Sequence, residues 1–383
     1  MRDKILFVKI SSFSHINSKV YQKLRSNFPE HEIITVDAIE ILRSKKIYIL
    51  LNYFFIVKEY FFRLITFRIR IKDCVIPNTF FFRLVRKKIL QNYKHIHNSI
   101  AFTFQTQSLV DASIPGIKNY IFTDNTYLEN LNNEFYDRNK TPTSRWLAFE
   151  KSLYTNAAKI FVMSSNVRNS LVIQYQIDQN KIKVVYTGGN INSKSHDSEL
   201  KDYTSKSILF IGGNWSRKGG HLLLQAFRKI KEIHKDATLT IVSWRAPKIS
   251  EPGVTVYGKV GLDDIGNLFK TTSIFCMPSY IEPFGIVFIE AMMNKLPIIA
   301  TKINAIPDFV IDNENGFLVQ PGNVEQLEIA LLKLLDSPEL CKKFGEKGFK
   351  LYKEKYNWDN VFQKIKKIIK EDPVDKVITL EKV

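Results

Sequence analysis

The chain has 383 residues, enough for two domains of ordinary size with large buried cores. Apolar residues make up 45% of it and charged residues 25%, which excludes a disordered or fibrous chain. Against 38 Asp and Glu stand 56 Lys and Arg, and the resulting net charge of +18 asks for an anionic partner: nucleic acid, acidic lipid headgroups or a phosphorylated substrate. Cys74, Cys276 and Cys341 are too few and too scattered for a disulfide framework or a paired-cysteine zinc site, and they read as reduced thiols of a cytosolic protein.

In chain order, the pattern alternates short β-rich runs with helical stretches, which is how a parallel α/β sheet is written. Strands are predicted at Lys4–Ile10, Ile33–Val36, Ile100–Phe104, Tyr120–Phe122, Lys159–Met163 and Lys183–Tyr186. The apolar run after Met1 is too short for a signal peptide. The longest apolar stretch, Ile47 to Val57, is about half of the roughly 20 residues that span a bilayer, so no transmembrane helix is expected. Thr187–Lys206, polar and without periodicity, is the predicted linker. The alternation then restarts with strands at Ser207–Ile211, Thr238–Val242, Val254–Tyr257, Ile274–Met277 and Pro297–Ala300 and a helix at Lys218–His234. Helices around Val324–Leu335, Glu339–Glu354 and Trp358–Lys370 close the chain. Two successive doubly wound domains account for this order better than one large sheet.

Residues 41–95 break the pattern. They hold thirteen Lys and Arg against Glu59 and Asp73, interleaved with the aromatic clusters Tyr53-Phe54-Phe55, Tyr60-Phe61-Phe62 and Phe80-Phe81-Phe82. One reading is helices with apolar sides in the core and cations on a solvated face. The other is an interfacial patch that sets basic groups, Arg83, Arg86, Lys87 and Lys88 among them, on an anionic membrane surface.

The residues with the clearest chemistry lie between Ile208 and Glu290. A strand ends in Gly212-Gly213, and Arg217-Lys218-Gly219-Gly220 opens a helix; glycines allow close backbone approach, and adjacent cations at a helix start suit phosphate. Further on, Glu282-Pro283-Phe284-Gly285-Ile286-Val287-Phe288-Ile289-Glu290 follows another strand. The backbone N–H groups of Gly285, Ile286 and Val287 would open a helix and offer an anion site, and two carboxylates flank it. Carboxylates accept hydrogen bonds from vicinal diols, which suits a nucleotide sugar.

These residues, with Pro297–Thr301, Ala305–Asp308, Asn315–Val319 and Pro321-Gly322, resemble the family 4 retaining glycosyltransferases of GT-B architecture. The likeness is strong over Ser207–Leu335 and weaker in Phe122-Thr123-Asp124-Asn125-Thr126, Ser164-Ser165 and Val184–Gly189. It implies two facing Rossmann-like domains with a cleft between them: 1–195 for the acceptor, 196–355 for the nucleotide sugar, and a C-terminal helix within 356–383 returning toward the first. By the same likeness, Lys218 neutralises the donor diphosphate with Arg217 assisting, and Gly213, Gly285, Ile286 and Val287 contribute backbone. Glu282 binds the hydroxyls of the transferred sugar, Glu290 those of the ribose, and the base lies near Tyr257–Val260. The implied enzyme is a metal-independent hexosyltransferase without cofactor, taking a nucleoside diphosphate sugar to a glycan or lipid-linked acceptor in cell-surface polysaccharide or glycolipid synthesis. Its expected place is the cytoplasm, with possible attachment to the inner face of the membrane.

Three departures stand out. Gly213 occupies a position that is arginine in many relatives, and Ser11-Ser12-Phe13-Ser14-His15 replaces a glycine-rich loop. Asp124 stands where the family usually has a histidine; it is either a catalytic-region acid or a cap for the following helix. Two other readings compete: a basic nucleic-acid-binding protein, though no helix-turn-helix, zinc-finger or RNP pattern is present, and an inactive relative that uses the fold for binding.

Overall fold

The computed structural model describes residues 3–13, 15–191 and 201–373. The chain forms two compact units, Met1–Val185 with Phe362–Val383, and Tyr186–Val361. The boundary expected at residues 195 and 196 lies outside the described residues.

The first unit runs β1 (Lys4–Lys9), α1 (Ile16–Asn27), β2 (Glu32–Asp37), α2 (Ala38–Arg43), α3 (Lys46–Ile65), α4 (Thr79–Asn92), β3 (Ile100–Thr106), β4 (Lys118–Thr123), α5 (Ser144–Asn156), β5 (Lys159–Val162), α6 (Ser165–Ile173) and β6 (Ile182–Val184). Its sheet is parallel throughout, in the order β2-β1-β3-β4-β5-β6. Helices cover both faces of such a sheet, so a central strand such as β1 buries Ile5, Leu6, Phe7 and Val8 without alternation. Thr143 and Ser164 start α5 and α6 by accepting from the N–H groups of Trp146 and Val167.

The second unit runs β7 (Ser207–Ile211), α7 (Gly220–Ile233), β8 (Thr238–Val242), β9 (Val254–Tyr257), α8 (Leu262–Thr271), β10 (Ile274–Met277), α9 (Ile286–Met293), β11 (Ile298–Thr301), β12 (Gly316–Val319), α10 (Val324–Leu335), α11 (Pro338–Lys355) and the first residues of α12 (Trp358–Glu371). Its parallel sheet has the order β12-β11-β10-β7-β8-β9, that of a dinucleotide-binding doubly wound fold. β12 was not expected as a strand. Four residues opening with glycine give little strand signal, yet a Cβ on Gly316 would come within 2.2 Å of the Ile298 carbonyl oxygen, so only glycine pairs there.

Two expectations need correction. The start of the predicted linker is core: Thr187, Gly188, Gly189, Asn190 and Ile191 are buried. Phe80-Phe81-Phe82, read as part of an interfacial patch, turns inward. Phe81 and Phe82 are buried, Phe80 stacks on Phe55 at 5.2 Å, and Arg86 pairs with the buried Asp111. These side chains fill the space between α4 and its neighbours, which a run of three aromatics does not reveal by itself.

Candidate active site

Both motif loops leave the second sheet at its carboxyl end, after β7 and β10. These strands are neighbours, and the direction of winding reverses between them: β8 and β9 extend one way, β11 and β12 the other. Connections that diverge from adjacent strands leave a crevice, and there a doubly wound sheet binds its ligand.

The two loops are tied together. Arg217 accepts from the Tyr280 N–H through its carbonyl at 2.9 Å and donates its guanidinium to the Ile281 carbonyl. The Glu282 N–H donates to Asn304 Oδ1 at 3.3 Å. Gly219, at φ +70°, sets α7 directly on the end of β10, since a Cβ there would stand 2.0 Å from the Pro278 oxygen. This frame buries Lys218 Nζ against the Glu282 carboxylate. Burial, and then the charge of Arg217, pull the Lys218 pKa well below its ordinary value. The contacting Glu282 carboxylate opposes that shift by favouring the charged ammonium. Burial also lowers the Arg217 pKa.

Gly285 turns the chain into α9 at φ +93°, where a Cβ would lie 2.6 Å from the Phe288 ring. The Phe288 N–H bonds back to the Gly285 carbonyl at 3.0 Å, so the Ile286 and Val287 amides of the first turn have no acceptor inside the helix. One turn further, Glu290 is buried and takes the Asn190 N–H on Oε1 at 2.8 Å, with Gly189 packed against its Cγ.

Gly213 lies under Trp244: a Cβ at 213 would stand 1.9 Å from the indole, which is itself 63% exposed. The loop thus has no room for the arginine that the resemblance leads one to expect while the indole stays in place. Trp244, Asn304 and Asn190 escaped the sequence reading, and Gly189 was read only as part of the weaker likeness over Val184–Gly189. The only signal for Trp244 is its position two residues beyond β8.

In the first unit, Asp124 follows β4. It caps no helix: the Glu129 N–H at the next helical turn bonds to the Thr126 hydroxyl instead. Burial pushes the Asp124 carboxyl up to about 6. After β1, Ser11, Phe13 and His15 take φ +50°, +44° and +67° without glycine.

Over residues 192–351 the sequence matches the family described as glycosyl transferases group 1. The second unit belongs to that family. Its group 1 domain holds Gly213, Arg217, Lys218, Glu282, Gly285, Ile286, Val287 and Glu290, while Asp124 lies before it. Among similar proteins, an uncharacterized glycosyltransferase of Methanocaldococcus jannaschii is 28% identical over 230 residues, covering 58% of this chain and 62% of its own. The MMP α-(1→4)-mannosyltransferase of Mycolicibacterium hassiacum is 26% identical over 231 residues, 57% of this chain and 56% of its own. The chain thus spans about three fifths of the length of these curated relatives. The fold of both units recurs in sucrose-phosphate synthase from Thermosynechococcus elongatus, with a TM-score of 0.67 and 16% identity over 97% of this chain and 99% of that one.

Proposed function

We propose that this chain moves a sugar from a nucleoside diphosphate sugar to a glycan or lipid-linked acceptor, with retention at the anomeric carbon, in the cytoplasm and in the service of cell-surface polysaccharide or glycolipid synthesis. The observation that carries this reading is the buried Lys218–Glu282 pair beside the first turn of α9. A diphosphate arriving there takes over Lys218, gains the Ile286 and Val287 amides, and releases Glu282 to the hydroxyls of the transferred sugar. Glu290, one turn along the same helix, takes the ribose hydroxyls in this reading. As the sugar leaves, charge grows on the nucleoside diphosphate, and Lys218, Arg217 and the positive end of α9 stabilise it without a metal ion. Asp124, with its raised pKa, is the first-unit residue proposed to act on the reacting groups. The activity named for the mannosyltransferase relative supports sugar transfer, and the concentration of basic residues in 41–95, away from the motif loops, speaks against nucleic acid as the ligand.

Calorimetry with UDP, GDP, ADP and their sugars tests this. One nucleotide should bind, and Lys218→Ala or Glu290→Ala should each weaken it about ten- to a hundredfold, the worth of a charge-assisted contact. Glu282→Ala should bind the free nucleoside diphosphate at least as tightly as wild type yet transfer no sugar. Unchanged affinity in both of the first two variants overturns the assignment; binding without transfer or donor hydrolysis in wild type leaves a binding module.

A further inference from the structure

Helix α3 is apolar on both sides. Its inner stripe, Asn52, Ile56 and Tyr60, is buried, with the Asn52 amide donating to the Val75 carbonyl and the Tyr60 hydroxyl to that of Pro77. Its opposite stripe, Leu50, Phe54 and Val57 before a kink at Tyr60 and Phe61, Phe62 and Ile65 after it, faces outward. Leu50 is 64% exposed, Phe54 62%, Phe62 78%, and Phe67 just beyond the helix 93%. A contiguous face of this kind is not left to water without a use.

Its surroundings say what covers it. Lys45, Lys46, Lys58, Arg68, Arg70 and Lys72 are all exposed around the stripe. The two carboxylates of the segment are already engaged, Glu59 by the Thr79 hydroxyl and amide and Asp73 by Arg70 at 3.2 Å. A groove of about 410 Å³ between α3 and α4 is lined by Tyr48, Leu51, Phe55 and Phe80 together with Arg83 and Lys87. No helix among the described residues is long and apolar enough to cross a membrane.

We infer that α3 is an interfacial membrane helix: its outer stripe enters the acyl boundary of an anionic bilayer, and the flanking cations, with Arg83 and Lys87 at the groove, meet the headgroup phosphates. A helix whose apolar face is ringed by cations binds in this way, lying in the interface rather than spanning it. The aromatic side chains suit the headgroup boundary, where ring and polar edge are both satisfied. A protein partner would need an acidic rim to match, whereas an anionic leaflet supplies that charge everywhere. The inference stands on α3 and the cations around it and does not depend on sugar transfer.

The test is co-sedimentation with phosphatidylcholine vesicles and with vesicles that also contain phosphatidylglycerol. The full chain should pellet with the anionic vesicles only, and less in high salt, as the Debye length shortens from about 10 Å at 0.1 M to about 3 Å at 1 M. The double variant Phe54→Glu, Phe61→Glu should lose about tenfold in vesicle binding while its thermal melting is unchanged, because charges on the outer stripe oppose insertion but disturb no core contact. The variant Phe62→Trp, at a position 78% exposed and so with room for the larger indole, should show a blue shift of fluorescence beyond that of wild type on adding anionic vesicles. Three results overturn the inference: no pelleting of wild type with anionic vesicles, equal pelleting of wild type and the double variant, or a lipid-free dimer in sedimentation velocity that the same variant breaks.

Discussion

Glu150 is a buried carboxyl surrounded by donors rather than cations. The hydroxyls of Tyr154 and Ser108 reach Oε1 at 3.0 and 3.2 Å, the Tyr127 amide does so at 3.3 Å, and the Tyr175 hydroxyl bonds to Oε2. Burial lifts its pKa from 4.5 to about 7 even though every one of these donors pulls it down. The folded state therefore holds the proton more tightly than the unfolded one. The stability from this group is complete below about pH 4.5 and is lost as pH rises through about 7, a difference of about 3 kcal/mol. Glutamine keeps an acceptor and cannot ionise. Glu150→Gln should accordingly melt above wild type at pH 8 and lose that advantage at pH 5. Identical melting temperatures at pH 8 would show that the donors already cancel the cost of burying the charge. Lys218 meets burial with a carboxylate instead of neutral donors, its Nζ lying against Glu282.

At the scale of elements, the residue that follows α12 ties back to the start of two strands. Lys118 opens β4 and Lys159 opens β5, and both reach Asp372, just past α12, at 2.9 and 3.5 Å; the Tyr120 hydroxyl joins them at 3.0 Å. Asp372 is almost buried and the lysines only partly so, which places the pair between the surface and core limits. Asp372→Ala should cost the first unit about 2 kcal/mol in urea unfolding, and Asp372→Asn less, since the amide still accepts from Tyr120. A loss under a few tenths would mean that water replaces the clamp. The resemblance led one to expect a helix within 356–383 returning toward the first domain, but no spacing in the sequence singles out the pairing of Lys118 with Asp372. What was legible follows from burial on two faces: strands such as Ile5–Val8 and Ile298–Ala300 are continuous apolar runs, and the motif loops follow them directly. Phe61-Phe62 and Phe80-Phe81-Phe82 look alike in sequence, but packing turned one pair outward and most of the other run inward. The same limit hid Trp244, because its effect on Gly213 is a matter of space rather than of spacing.

At the scale of the molecule, the two units differ in how the chain closes them. The second is a single stretch, Tyr186–Val361; the first is completed only by Phe362 and the residues after it. Every group proposed to hold the donor, from Asn190 to Glu290, lies inside the continuous stretch. So does the brace beneath Glu290, where the Trp358 indole donates to the Gly189 carbonyl at 2.8 Å and the ring fills the space over Gly188. The first unit cut at 185 would lose Phe362, packed against Phe104 at 6.4 Å, together with the Asp372 clamp. A fragment of residues 186–361 should therefore fold alone with a cooperative thermal transition, and it should bind the preferred nucleoside diphosphate within about threefold of the full chain, since less than 1 kcal/mol of contact is removed. A fragment of residues 1–185 should melt at lower temperature than the same unit in the full chain. Calorimetry and circular dichroism on the two fragments decide this. A folded 186–361 fragment that binds more than about tenfold weaker would mean that over 1.4 kcal/mol of donor binding comes from residues outside it, and the donor site would have to be redrawn to include them.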